Sequence, residues 1–141
     1  MASAEKRILI INPDRTERTI MAFFLKNEKF DVETGTGLAD AVKKIREGDF
    51  GCLILDVNLP EMKGYEAVPI LKRIVPEIKI IMTAKKNTKS LEAKIRAQDI
   101  FFYYIKSFSK DELIMALNSA FRNLGGNHND LITPIERLSK K

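Results

Sequence analysis

The chain of 141 residues carries one cysteine, Cys52, and one histidine, His128. A lone cysteine excludes a disulfide framework and a thiolate metal site, so a reducing cytoplasm is the expected setting. Long apolar runs are missing as well. Nothing approaches the roughly 20 residues needed to cross a bilayer. The start, Met1-Ala2-Ser3-Ala4-Glu5-Lys6-Arg7, leads into only Ile8 to Ile11 before Asn12-Pro13, too short for a signal-peptide core. Thr34-Gly35-Thr36-Gly37 has two glycines but neither a Walker lysine nor the full dinucleotide fingerprint, and reads as a turn. The formal net charge of +5 favours acidic partners weakly and does not indicate nucleic acid. With 45% apolar and 30% charged residues, the composition suits one globular domain with a single core.

What is present is a regular alternation. Apolar strand-like runs at 8–11, around Val32, at 52–55, at 78–83 and at 101–105 are separated by segments of helical period. In those segments Ile20, Phe23 and Phe24 recur at helical spacing, as do Leu38, Ala41, Val42 and Ile45, then Val68, Leu71 and Val75. Residues 88–98 form the least apolar helix, with Leu91 and Ile95 set among charges, so thin packing and high mobility are expected there. Pro69 would cost about 3 kcal/mol inside a helix begun at Gly64; a late start or a kink is the expectation. Ser109-Lys110-Asp111-Glu112 is a capping box that opens the last helix, which Leu113, Leu117, Phe121 and Leu124 follow down one face. Five strand–helix units imply a parallel sheet covered on both faces, with strand order 2-1-3-4-5. The domain is expected over 1–124. Residues 125–141 form a linker, holding His128, and a short tail in which Leu131, Ile135 and Leu138 could share one helical face.

In such a sheet, chemistry gathers at the carboxyl ends of the strands. Three polar residues close three apolar runs: Asp56 after Cys52-Leu53-Ile54-Leu55, Thr83 after Ile78 to Met82, and Lys106 after Phe101 to Ile105. An acid, a hydroxyl and an ammonium therefore meet on one rim. Asp56 is followed by Val57-Asn58-Leu59-Pro60 and Gly64, which force the chain to turn.

In that order and on that fold, these residues resemble the receiver (response-regulator) domains of two-component phosphorelays, from about Arg7 to Leu124. The resemblance implies a flavodoxin-like (βα)5 fold and a phosphoacceptor role for Asp56. It makes Thr83, followed by the small Ala84, the switch hydroxyl, Lys106 the phosphate-contacting lysine and Tyr103 the switch aromatic. Mg²⁺ would be held by Asp56 and the backbone carbonyl of Asn58. The implied partners are a histidine kinase or phosphotransfer protein and a downstream protein target. The physics agrees: a carboxylate can act as nucleophile, and phosphoryl transfer needs charge neutralisation above all.

The pattern breaks at the metal. Receivers usually carry an acidic pair after the first strand, where this chain has Asn12 and Pro13. Asn12 offers a neutral oxygen and Pro13 none, so Mg²⁺ binding is expected to be weak or absent. Asp14 is the possible substitute if the turn rearranges; otherwise Asn12 turns the chain and Pro13 begins the helix. Ser107 stands where receivers have a proline in cis, and Asp99-Ile100-Phe101-Phe102 replaces a small turn. Either Tyr103 or Tyr104 could equally be packing residues.

Two functional readings remain. The first is a stand-alone phosphorylatable receiver signalling through the fourth helix, fifth strand and fifth helix; the second is a degenerate receiver that docks proteins independently of phosphorylation. On neither reading is it an enzyme beyond its own phosphorylation and dephosphorylation. A haloacid-dehalogenase-like phosphatase would need a second aspartate where Asn58 stands, and its nucleophile on the first strand. Lys85, Lys86, Lys89, Lys94 and Arg96 read as a solvated face, with no DNA-binding element and no membrane segment alongside. Homodimerisation through the tail is possible.

Overall fold

The computed structural model describes residues 7–106 and 109–122. Its elements alternate: β1 (Arg7–Ile11), α1 (Arg15–Asn27), β2 (Asp31–Gly35), α2 (Leu38–Glu47), β3 (Cys52–Asp56), α3 (Gly64–Ile74), β4 (Lys79–Ala84), α4 (Lys89–Arg96), β5 (Phe102–Ile105) and α5 (Lys110–Arg122). The sheet is parallel throughout, with order β2-β1-β3-β4-β5. Strand alternation sorts the core into two layers. Leu9, Ile11, Leu53, Leu55, Ile80, Met82 and Tyr103 pack with residues of α2, α3 and α4. Ile8, Ile10, Cys52, Ile54, Ile81, Phe102 and Tyr104 pack with residues of α1 and α5. Strands buried on both sides explain why the runs read as continuously apolar.

Several helix expectations need correction. α3 begins at Gly64 and Pro69 lies inside it, so the helix does not start late. The Lys63 N–H donates to Glu66 Oε1 at 3.0 Å, which fixes the start upstream of the proline. On α1, Ala22 and Leu25 are buried, whereas Ile20 and Phe23 are 54% and 68% exposed. The apolar periodicity there tracked a stripe wider than the buried face. The first residue of α1 is Arg15, and its N-cap is Asp14, so Pro13 does not begin the helix. Just past the end of α1, Lys29 with its φ of 75° lets the Phe30 N–H return to the Leu25 carbonyl at 3.1 Å. At the start of α5, the Asp111 N–H donates to Ser109 Oγ at 3.1 Å. Ser107, His128 and the tail with its dimerising face lie outside the described residues.

Candidate phosphoacceptor site

Parallel register sets Asp56 beside Thr83 at the ends of β3 and β4. The Lys106 N–H extends the β4–β5 ladder to the Ala84 carbonyl at 2.8 Å, which brings Lys106 to the same rim. Thr83 Oγ1 donates to Asp56 Oδ1 at 3.2 Å and Lys106 Nζ donates to that same oxygen at 2.5 Å. The other oxygen, Oδ2, accepts from the Asn58 N–H at 2.9 Å. Asp56 and Thr83 are buried, which shields these charged bonds from water and strengthens them.

The loop after Asp56 is tied at several points. Val57 N–H bonds the Thr83 carbonyl at 2.9 Å, Gly64 N–H bonds the Val57 carbonyl at 2.7 Å, and Lys63 Nζ donates to Asn58 Oδ1 at 2.8 Å. Glu61 reaches across to accept from the Leu38 and Ala39 N–H groups at 2.8 and 3.2 Å, anchoring the loop to the positive end of α2. Gly64 is required by close approach: a Cβ there would sit 2.3 Å from the Asp56 carbonyl oxygen.

Beyond β1 the polar groups are rearranged. Asn12 is buried; its Oδ1 accepts from the Asp14 N–H at 2.8 Å, and its Nδ2 donates to Glu17 Oε1 at 3.1 Å. Asp14 is an exposed cap, accepting from the Glu17 N–H at 3.0 Å. The carboxylate that meets Lys106 from this side belongs to Glu17, which the sequence reading did not single out. Glu17 Oε1 receives Lys106 Nζ at 2.5 Å, and Oε2 pairs with Lys85 Nζ at 2.8 Å. Burial pushes the Glu17 carboxyl up, but hydrogen bonds from Lys106, Lys85 and Asn12 outweigh it and hold the group at about 2. Its signal was local: Glu17 is three residues after a helix-capping aspartate, hence in the first turn of the helix that opens on the rim. Asn12, Asp14, Glu17, Asp56, Lys85 and Lys106 border an open cleft of about 180 Å³.

The two tyrosines separate cleanly. Tyr104 belongs with the α1/α5 layer, whereas Tyr103 belongs with the α4 layer and donates from its hydroxyl to Asn87 Oδ1 at 2.9 Å. Asn87, in the β4–α4 loop, donates in turn to Glu92 Oε1 on α4 at 2.9 Å. Burial, then the Glu92 charge, pushes the Tyr103 hydroxyl well above the usual tyrosine range.

The profile of the response regulator receiver domain matches residues 8–118. The chain belongs to that family. Among curated proteins, the receiver is 30% identical over 132 residues to the cell cycle response regulator CtrA of Brucella abortus, covering 90% of this chain and 55% of that protein. The chain thus spans about half the length of that relative. Among solved structures it superposes on a CheY-like receiver domain protein of Methanospirillum hungatei with a TM-score of 0.77 at 22% identity, covering 85% of this chain and 96% of that one. It also superposes on the response regulator TrrA of Thermotoga maritima, solved in complex with Mg²⁺-BeF, with a TM-score of 0.72 at 26% identity, covering 82% and 98%. The five-stranded fold and its place in two-component signalling are therefore as the sequence implied. Receiver domains act with histidine kinases or phosphotransfer proteins, and some dimerise.

Receiver domains typically bind Mg²⁺. Among the described residues no three acidic, histidine or cysteine side chains cluster so as to hold a metal. Asn12 Oδ1 accepts from the Asp14 backbone, and the Lys106 ammonium bridges the Asp56 and Glu17 carboxylates.

Proposed function

We propose that the chain is a signal receiver that accepts a phosphoryl group on Asp56 from a phosphohistidine of a kinase or phosphotransfer protein, in the cytoplasm. An Asp56 oxygen attacks phosphorus, the P–N bond breaks with its electron pair leaving on imidazole, which then takes a proton, and an acyl phosphate forms. The observation that carries this reading is the convergence on one Asp56 oxygen of the Thr83 hydroxyl and the Lys106 ammonium. Lys106 offers a point charge and Thr83 a hydrogen bond to the incoming phosphoryl oxygens. Output would leave through α4, β5 and α5 to a protein target, since Tyr103 links the rim to α4 by way of Asn87. The reading applies whether the receiver acts alone or joined to an output domain. The basic residues around α4 support protein contact rather than nucleic-acid binding: Lys85 pairs with Glu17, Arg96 lies near Glu92, and Lys94 stands over the Tyr65 ring. We read Mg²⁺ as weakly held or unused.

The second reading, a module that docks proteins without phosphorylation, is favoured by Asn12 and Pro13 in place of the acidic pair. Incubation with phosphoramidate, whose P–N bond resembles that of phosphohistidine, followed by intact mass, separates the two. A gain of one phosphoryl mass, abolished in Asp56→Asn, is expected. No gain with excess donor, with or without Mg²⁺, rejects the phosphoacceptor reading in favour of docking.

A further inference from the structure

Four side chains in the cleft alternate in sign. Lys106 Nζ lies 2.5 Å from both Asp56 Oδ1 and Glu17 Oε1, and Lys85 Nζ lies 2.8 Å from Glu17 Oε2. Two carboxylates brought together in one cleft repel each other, and two positive charges balance them. A divalent ion supplies both at once; here two ammoniums supply one each. They come from fixed points of the fold. Lys106 follows β5, and Lys85 is the first residue after β4. Glu17 is set in the first turn of α1 by the Asp14 cap and is further bonded by Asn12. An incoming divalent ion would have to displace Lys106 from two partners, and it would leave the cleft with excess positive charge.

We propose that Glu17 is a positioning residue that holds Lys106 and Lys85 beside Asp56 in place of a divalent cation, so that a phosphoryl group meets two resident ammoniums. This rests on the reading of Asp56 as phosphoacceptor. When Asp56 becomes an acyl phosphate the carboxylate loses its charge, and the phosphoryl group brings a larger one to the same spot. Lys106 then turns from carboxylate to phosphoryl oxygen, while Glu17 keeps both lysines from swinging into solvent. Lys85, 70% exposed along its side chain, is the more easily displaced arm.

The full chain tests this with Mn²⁺ as the probe ion, the free ion being followed by its electron paramagnetic resonance signal. The wild type is expected not to saturate in the low millimolar range. Lys85→Ala should tighten Mn²⁺ binding several-fold, and Lys85→Glu, which adds a carboxylate, should tighten it further. Both changes fall on an exposed side chain and leave the core untouched. In parallel, phosphoramidate labelling should run at equal rates in EDTA and in Mg²⁺, and Glu17→Gln should slow the EDTA reaction several-fold. Sub-millimolar saturation by the wild type, Lys85 variants with an unmoved Mn²⁺ curve, a strict need for Mg²⁺, or an unchanged rate in Glu17→Gln would each overturn the proposal. Failure to label under any ion condition rejects the phosphoacceptor reading instead, and the Mn²⁺ curves still decide what fills the cation's place.

Discussion

Replacing Glu17 with Gln probes the electrostatics of the cleft through stability alone, with no phosphodonor needed. In the folded chain the Glu17 carboxyl is raised by burial and lowered more strongly by Lys106, Lys85 and Asn12, from 4.5 to about 2. At about 1.4 kcal/mol per pH unit this would exceed 3 kcal/mol, but the cleft opens to solvent, and screening brings the contribution to about 1–2 kcal/mol. The sign follows from proton counting. Between pH ~4.5 and ~2 the unfolded chain binds the proton that the folded chain rejects, so stability rises with pH across that window. The contribution is fully present above the unfolded value and is lost as pH falls through the folded one. Glutamine keeps the shape and removes the charge. With an m-value of about 2 kcal/mol/M, the urea midpoint of Glu17→Gln at neutral pH should fall by about 0.5–1 M. Below pH ~2.5 the wild-type and variant midpoints should converge, because the native carboxyl is then being protonated. A gap that stays constant into acid would show that Glu17 acts through packing, and the charged network would lose its support.

Three further outcomes follow from single contacts. Gly64→Ala drives a methyl into the Asp56 carbonyl oxygen at the start of α3; it should cost about 1–3 kcal/mol or more in urea unfolding and lower phosphoramidate labelling, since the displaced strand end carries the acceptor. Lys29→Gly relieves a lysine held at φ 75° just past the end of α1, and should raise stability by about 0.5–1 kcal/mol in the same assay. Cys52 is fully buried and its thiol is pushed up to about 12 by burial. A thiol reagent at neutral pH should therefore label it only at the rate of unfolding, and prompt stoichiometric labelling would contradict its place in the core.

The parallel sheet, its order and the three strand-end residues were all legible, because buried strands write themselves as short apolar runs and a polar terminus is conspicuous. Glu17 was not. It stands among Arg15, Thr16 and Arg18, where a charge on a helix reads as solvated, and its two lysine partners are 68 and 89 positions away along the chain. Only the closing of the rim shows that a carboxylate on the first turn of α1 reaches the lysine after β5. Asp14, the acid that sequence proximity favoured, is committed to the helix end, since a cap must lie where the first free N–H groups point. The exposed Ile20 and Phe23 show the complementary limit: a helical period marks an apolar stripe, and packing decides how much of it is covered.

Tyr103 offers a separate handle on the signalling face. Its ring is buried with only 1% exposure, and its hydroxyl is held by Asn87, which Glu92 holds in turn. The buried ring and its bond to Asn87 thus tie the end of β5 to the loop before α4. The linkage is testable by alkaline titration of phenolate absorbance. Tyr103 and Tyr104 are both raised by burial, with Glu92 and Glu112 respectively adding to it, so two tyrosines should resist ionisation until the fold opens. Tyr103→Phe should remove one late-titrating group and cost about 0.5–1.5 kcal/mol of stability. Asn87→Ala removes the acceptor while leaving the ring in place, and should lower the pH at which Tyr103 ionises. If Tyr103 instead titrates in the ordinary tyrosine range, its hydroxyl is open to water and the link through Asn87 to α4 does not hold.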